Sequence, residues 1–166
     1  MDFTRCPPPN LDLLAANGVK FTDFHANGAV CSPTRAALMT GKYQQRTGVG
    51  GVITAKSHRE VGLNLNEITI AEELNKHGYN CGMFGKWHLG PVKADSPTSP
   101  GAMGFDEWLS HDKFFEIDPV LSRNGGPPQQ FEGEGSQLIV EEAIQFIKKA
   151  KANKQPFLAV VWYGSP

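Results

Sequence analysis

Apolar residues along this chain switch repeatedly between helical spacing and strand-like runs. In "NLDLLAANG", Leu11, Leu14 and Ala15 share one helical face behind Asn10 as cap, and Gly18 follows the end. The next stretch, "VKFTDF", alternates through Val19, Phe21 and Asp23 and predicts a strand. A second helix is expected to open with Ser32 as N-cap and Pro33 in its first position, where no N–H is needed, and to close near Gly41. "TIAEELNKHG" pairs Thr69 with Glu72 as a capping box, continues through Leu74 and stops at Gly78. "YNCGMF" then reads as a short strand. From Pro91 to Glu134 Gly, Pro and Ser are frequent, which predicts a long irregular excursion. Ile139, Ala143, Phe146, Ile147 and Ala150 mark a strongly amphipathic helix, and "PFLAVVWY" reads as a buried strand. This alternation predicts an α/β fold, with helices on both faces of one sheet.

Composition narrows the reading. A chain of 166 residues with 40% hydrophobic content suits one domain core or part of one. Lys and Arg total 16 against 17 Asp and Glu, a net charge of −1, so neither nucleic acid nor an anionic membrane is expected as partner. Any anion binding must be local. No apolar run approaches the length that spans a bilayer, and "MDFTRCPPPN" lacks the apolar segment of a secretory leader. Cys6, Cys31 and Cys81 are too few for a disulfide framework, and no paired Cys/His spacing suggests zinc.

In α/β sheets, ligands bind beyond the strand C-termini and at the helix starts that follow. Two stretches occupy such places, "AVCSPTRAALMTG" at 29–41 and "GKWHLG" at 85–90. The helix opening at Pro33 aims its positive end towards Cys31, and Arg35 can point back to the same place. Lys86 and His88, two apart, fall on one side of an extended backbone while Trp87 faces the other. Cation, imidazole and helix terminus then converge on one tetrahedral anion. Taken singly, each has a plainer reading. Cys31 fits a small buried hydrophobe, Arg35 a solvated helix residue, and the Lys-Trp-His triplet a loop with one packed indole. Leu38 and Met39 read as helix core. His25, His58, His77 and His111 need no more than surface or capping roles.

Taken together, the two stretches carry a resemblance. "AVCSPTRAALMTG" resembles the sulfatase signature, Cys-x-Pro-x-Arg followed by small and apolar residues and a Gly. "GYNCGMFGKWHLG" resembles the second sulfatase signature, departing from it at Cys81 and Phe84 within the strand. "PNLDLLAANGVKF" and "PFLAVVWYGSP" are similar to the family's frame, so nearly the whole chain is covered. The resemblance is to formylglycine-dependent, arylsulfatase-like enzymes of the alkaline phosphatase superfamily. It implies an α/β/α sandwich with a mostly parallel, mixed central sheet, incomplete here.

The same resemblance implies sulfuric ester hydrolysis, on aryl or carbohydrate sulfate monoesters. Cys31 would be oxidised to formylglycine by a formylglycine-generating enzyme that reads Pro33 and Arg35. Its hydrated aldehyde, bound to calcium, would attack sulfur through one hydroxyl and expel sulfate through the other. Arg35 would balance charge on the diol, Lys86 would clamp sulfate oxygens, and His88 would manage protons. Cys31 would thus be catalytic and a calcium ligand. Family members are exported, periplasmic, extracellular or lysosomal. Parts that the resemblance leads one to expect are absent: no Asp-Asp pair occurs, and a further active-site His is expected after Pro166. Calcium takes six to eight oxygens. The expectation is that residues 1–166 form the N-terminal-central part of one sulfatase catalytic domain, truncated at both ends and inactive alone. Two alternatives remain: a sulfatase-like chain lacking the calcium site, and a phosphoester hydrolase of the same superfamily, against which Cys-Ser-Pro-Thr-Arg argues. The loops from Pro91 to Glu134 are expected to shape the substrate pocket.

Overall fold

The structure, a computed structural model, describes residues 9–53 and 62–164, so Cys6 and His58 lie outside the described residues. Helices α1 (Pro9–Asn17), α2 (Cys31–Thr40) and α3 (Ile70–Asn75) precede strand β1 (Asn80–Lys86). Strands β2 (Glu107–His111), β3 (Val120–Arg123) and β4 (Gln129–Gln130) follow, then helix α4 (Gly135–Ala152) and strand β5 (Phe157–Trp162). The sheet order is β4-β3-β2-β1-β5. β1 runs parallel to β2 and β5, while β3 and β4 are antiparallel additions, as a mixed sheet requires.

Side-chain alternation explains the layers. Along β1, Cys81 and Met83 face one cluster with Ala36 and Met39 of α2 and Ala71 of α3, whereas Phe84 faces a second with Ile139, Ala143 and Phe146 of α4. Register keeps neighbours in step: Met83 opposes Trp108 and Val160 on the first face, and Phe84 opposes Leu109 and Val161 on the second. Covered on both faces, β1 can be apolar throughout, which is why its sequence runs without polar alternation. The sheet therefore has helices on both sides, as expected.

The Thr69–Glu72 capping box forms in both directions, at 3.2 Å and 2.8 Å. Gly41 closes α2 at φ +67°, a conformation that a residue with a Cβ adopts at a cost. Four expectations are corrected. Helix α2 begins at Cys31, with Val30 as cap, and the Ser32 hydroxyl instead accepts the Ile53 N–H at 3.1 Å. Val19–Phe24 forms no strand: Val19, Phe21 and Phe24 are exposed, without a neighbouring strand to pair with. Helix α1 forms, but Asn10 lies inside it and not at its cap, and none of its residues is buried. The stretch from Pro91 to Glu134 holds β2, β3 and β4: the short apolar signals of β2 and β3 are hidden among turn residues, and β4 is two exposed glutamines.

The contrast between α4 and α1 predicts mutational costs. Phe146→Ala removes a buried ring that packs on Phe84 and should lower the unfolding free energy by about 3–5 kcal/mol. Leu14, 69% exposed, should cost less than about 0.5 kcal/mol on the same change. Urea unfolding of both variants checks the difference.

Candidate active site

The three parallel strands end at one edge of the sheet, with Lys86 opposite His111 and Gly85 opposite Trp162. Strict alternation from Phe84 would direct Lys86 to the α4 face, but Gly85 interrupts it at φ +110°. A Cβ at Gly85 would lie 1.9 Å from the Trp162 carbonyl oxygen, so only glycine permits β5 this close. His88, at φ +55°, is left-handed, so the segment is not the extended one that spacing suggested. Trp87 is fully buried, stacks on Trp162 and donates its indole N–H to the Thr98 carbonyl at 2.8 Å.

These turns bring Lys86 to Cys31. The ammonium donates to Cys31 Sγ at 3.1 Å, across the gap between the end of β1 and the start of α2. Cys31 is half-buried in the first position of α2, where the helix has N–H groups without intrahelical partners. The helix start is anchored by Ser32, through Ile53, and by Thr34, whose hydroxyl donates to the Gly28 carbonyl at 2.6 Å. Lys86 is 1% exposed, and none of its partners among the described residues is a carboxylate. A buried cation without a counter-charge is costly, and an arriving anion relieves that cost.

Arg35 joins the same cluster. One guanidinium nitrogen donates to the Lys86 carbonyl at 2.6 Å, the group lies 4.4 Å from the centre of the Trp162 ring, and its Nε is buried without an acceptor among the described residues. Burial pushes its pKa down to about 10, with the Cys31 sulfur opposing the shift, so it stays charged at neutral pH. His88 meets the cluster through Ile53: its Nε2 lies 2.9 Å from the Ile53 carbonyl, while the Ile53 N–H donates to Ser32. A carbonyl can only accept, so Nε2 carries the proton and Nδ1 is left as an acceptor. Nδ1 is buried and has no partner among the described residues. Burial, then the charge of Lys86, holds the His88 pKa below its usual 6.5; Arg35 and Lys113 add to this and the Ile53 carbonyl opposes it.

Cys31, Arg35, Lys86 and His88 are therefore held in one neighbourhood, with cationic and neutral groups turned towards it. Beside them opens a cleft of about 300 Å³, lined in part by Cys31, Arg35, Leu38 and Trp162. Leu38 is 61% exposed there, which corrects its assignment to the helix core; Met39 is buried as expected. Sequence reasoning missed Trp162 and Phe114, whose ring centre lies 3.3 Å from the Lys86 ammonium. Trp162 was detectable as the last residue of a parallel strand, but Phe114 lay in a stretch without a strand signal. His25 pairs with Asp23 at 2.7 Å and His77 lies 3.7 Å from Glu73, both on the surface.

The residues present do not fit calcium. Among the described residues no group of three or more His, Cys, Asp or Glu is placed to hold a metal ion, and the cations beside Cys31 oppose one.

Comparison with known proteins agrees with the fold. The family model described as Sulfatase matches residues 4–166. The dog protein arylsulfatase G is 36% identical over 185 aligned positions, covering 90% of this chain and 34% of that protein. Human arylsulfatase A is 46% identical over 109 positions, covering 63% of this chain and 21% of that protein. The crystal structure of Ps i-CgsB in complex with k-i-k-neocarrahexaose superposes with a TM-score of 0.85 at 27% identity, covering 95% of this chain and 39% of that one. The chain thus spans about a third or less of these two relatives. With a family model matched over almost its whole length and a sheet that superposes on a solved relative, this chain belongs to the sulfatase family.

Proposed function

We propose that this chain carries the nucleophile-bearing, sulfate-binding part of a sulfuric ester hydrolase acting on sulfate monoesters of aryl or carbohydrate alcohols. The observation that carries the reading is the buried Lys86 ammonium, 3.1 Å from Cys31 Sγ and without a carboxylate partner among the described residues. Formylglycine at position 31, formed by a formylglycine-generating enzyme, would add water to give two hydroxyls on one carbon, one of them the nucleophile. The half-buried, anchored start of α2 fits that group, because it leaves the side chain facing cations and helix N–H groups.

The protein's own residues do the rest. Lys86 holds sulfate oxygens and offsets their charge, in a pocket where low polarity strengthens the attraction. Arg35 keeps a fixed positive charge beside residue 31 and has an unused N–H at Nε. His88, neutral with Nδ1 free, is the proton acceptor of the site. Carbohydrate esters are supported by the complex of Ps i-CgsB with an oligosaccharide, aryl esters by the names of the two relatives. The chain is read as the N-terminal-central part of one catalytic domain, a reading supported by its share of the relatives' length.

Coexpression with a formylglycine-generating enzyme should convert Cys31, seen as a lower mass of its peptide and as reaction with a hydrazide. Arg35→Ala and Pro33→Ala should reduce the converted fraction. A thiol that persists in every preparation would overturn the proposal.

In the full-length protein, Lys86→Ala and His88→Ala should each lower kcat/KM for an aryl sulfate by about 10²–10³. Near-normal turnover in either would return that residue to a packing role. Because the His88 pKa is depressed, the base is present above it and lost as pH falls through it. The acidic limb of kcat/KM should therefore lie below pH 6.5, and His88→Gln should abolish that limb.

A further inference from the structure

From the end of β2 at His111, opposite Lys86, the chain continues through Asp112, Lys113, Phe114 and Phe115. Its backbone is pinned on both sides of Phe114. The Asp112 carboxylate accepts the Val92 N–H at 2.8 Å, and His111 Nδ1 accepts the Lys113 N–H at 2.9 Å. Phe115 is buried in the α4-side core, so close to Gly135 and Gly164 that a Cβ on either would meet it within 3.0 Å. Phe114, between these anchors, is 58% exposed, yet its ring centre lies 3.3 Å from the Lys86 ammonium. A large aromatic left in solvent contributes little to the core. Its placement over a cation gives it a local attraction through the ring face.

The ammonium is thus flanked by Cys31 Sγ and by the Phe114 ring. A group attached to an anion held at Lys86 has this exposed ring as a near neighbour. Resting on the sulfate-site reading above, we propose that Phe114 is a specificity-determining residue that contacts the organic group of the sulfate ester, stacking on an aryl ring or the apolar face of a sugar. Lys86 then reads the anion, and Phe114 reads what the anion is attached to.

The test uses the full-length protein with Cys31→Ala, so that the ester is bound and not cleaved. Calorimetric titration with inorganic sulfate and with phenyl sulfate reads the two parts separately. Phe114→Ala should weaken phenyl sulfate about tenfold, the size of one aromatic contact, and leave inorganic sulfate within about twofold. Phe114→Tyr should restore phenyl sulfate binding. Phenyl sulfate affinity that is unchanged in Phe114→Ala, or that changes in step with inorganic sulfate, would overturn the inference. Lys86→Ala separates the two claims: if it leaves sulfate binding intact, or if no sulfate binds at all, the sulfate site itself fails and the inference with it. Lys86-dependent sulfate binding without discrimination at Phe114 sinks the inference alone.

Discussion

The close approach of β5 to Gly85 is the constraint on which the rest of the site depends. With no Cβ at that position, the Trp162 carbonyl can occupy space that any other residue would fill, and the parallel pairing of β1 with β5 continues to the end of both strands. Trp162 is thereby brought beside Trp87 and under Arg35. The same glycine interrupts the strand's alternation just before Lys86. A backbone requirement at one residue thus determines where two cations stand.

Charge then organises the chemistry. Lys86 and Arg35 lie together with no carboxylate partner among the described residues, an arrangement that is unfavourable until an anion arrives. Their field, together with burial, keeps His88 neutral, and the Ile53 carbonyl selects its tautomer. The imidazole's buried, unpartnered Nδ1 follows from these two effects. Stability is given up locally to hold groups ready, a pattern more common at functional sites than in cores.

The scaffold is less finished than its centre. β1 is covered on both faces and α4 buries one face, whereas α1 and the segment after it expose Leu11, Leu14, Phe21 and Phe24. Those side chains have the spacing of packed elements but stay exposed, Phe21 and Phe24 meeting each other with ring centres 6.1 Å apart. Local propensity suffices to wind α1, while burial depends on neighbours.

What the amino-acid sequence determined by itself was whatever depends on residues near one another in the chain. The capping box at Thr69, the amphipathic face of α4, the glycine stop of α2 and the two motif stretches were all legible, because period and end chemistry are local. Tertiary structure decided what depends on distant partners. Ser32 was readable as a helix cap until Ile53 arrived to use its hydroxyl, and Val19–Phe24 had strand alternation but no strand to pair with. β2 and β3 were invisible among Gly and Pro because they take their order from β1. The meeting of Lys86 with Cys31, 55 residues apart, required a sheet edge, a helix start and a glycine conformation together. Pairwise contact of that kind leaves no period in a sequence, so only the fold could place it.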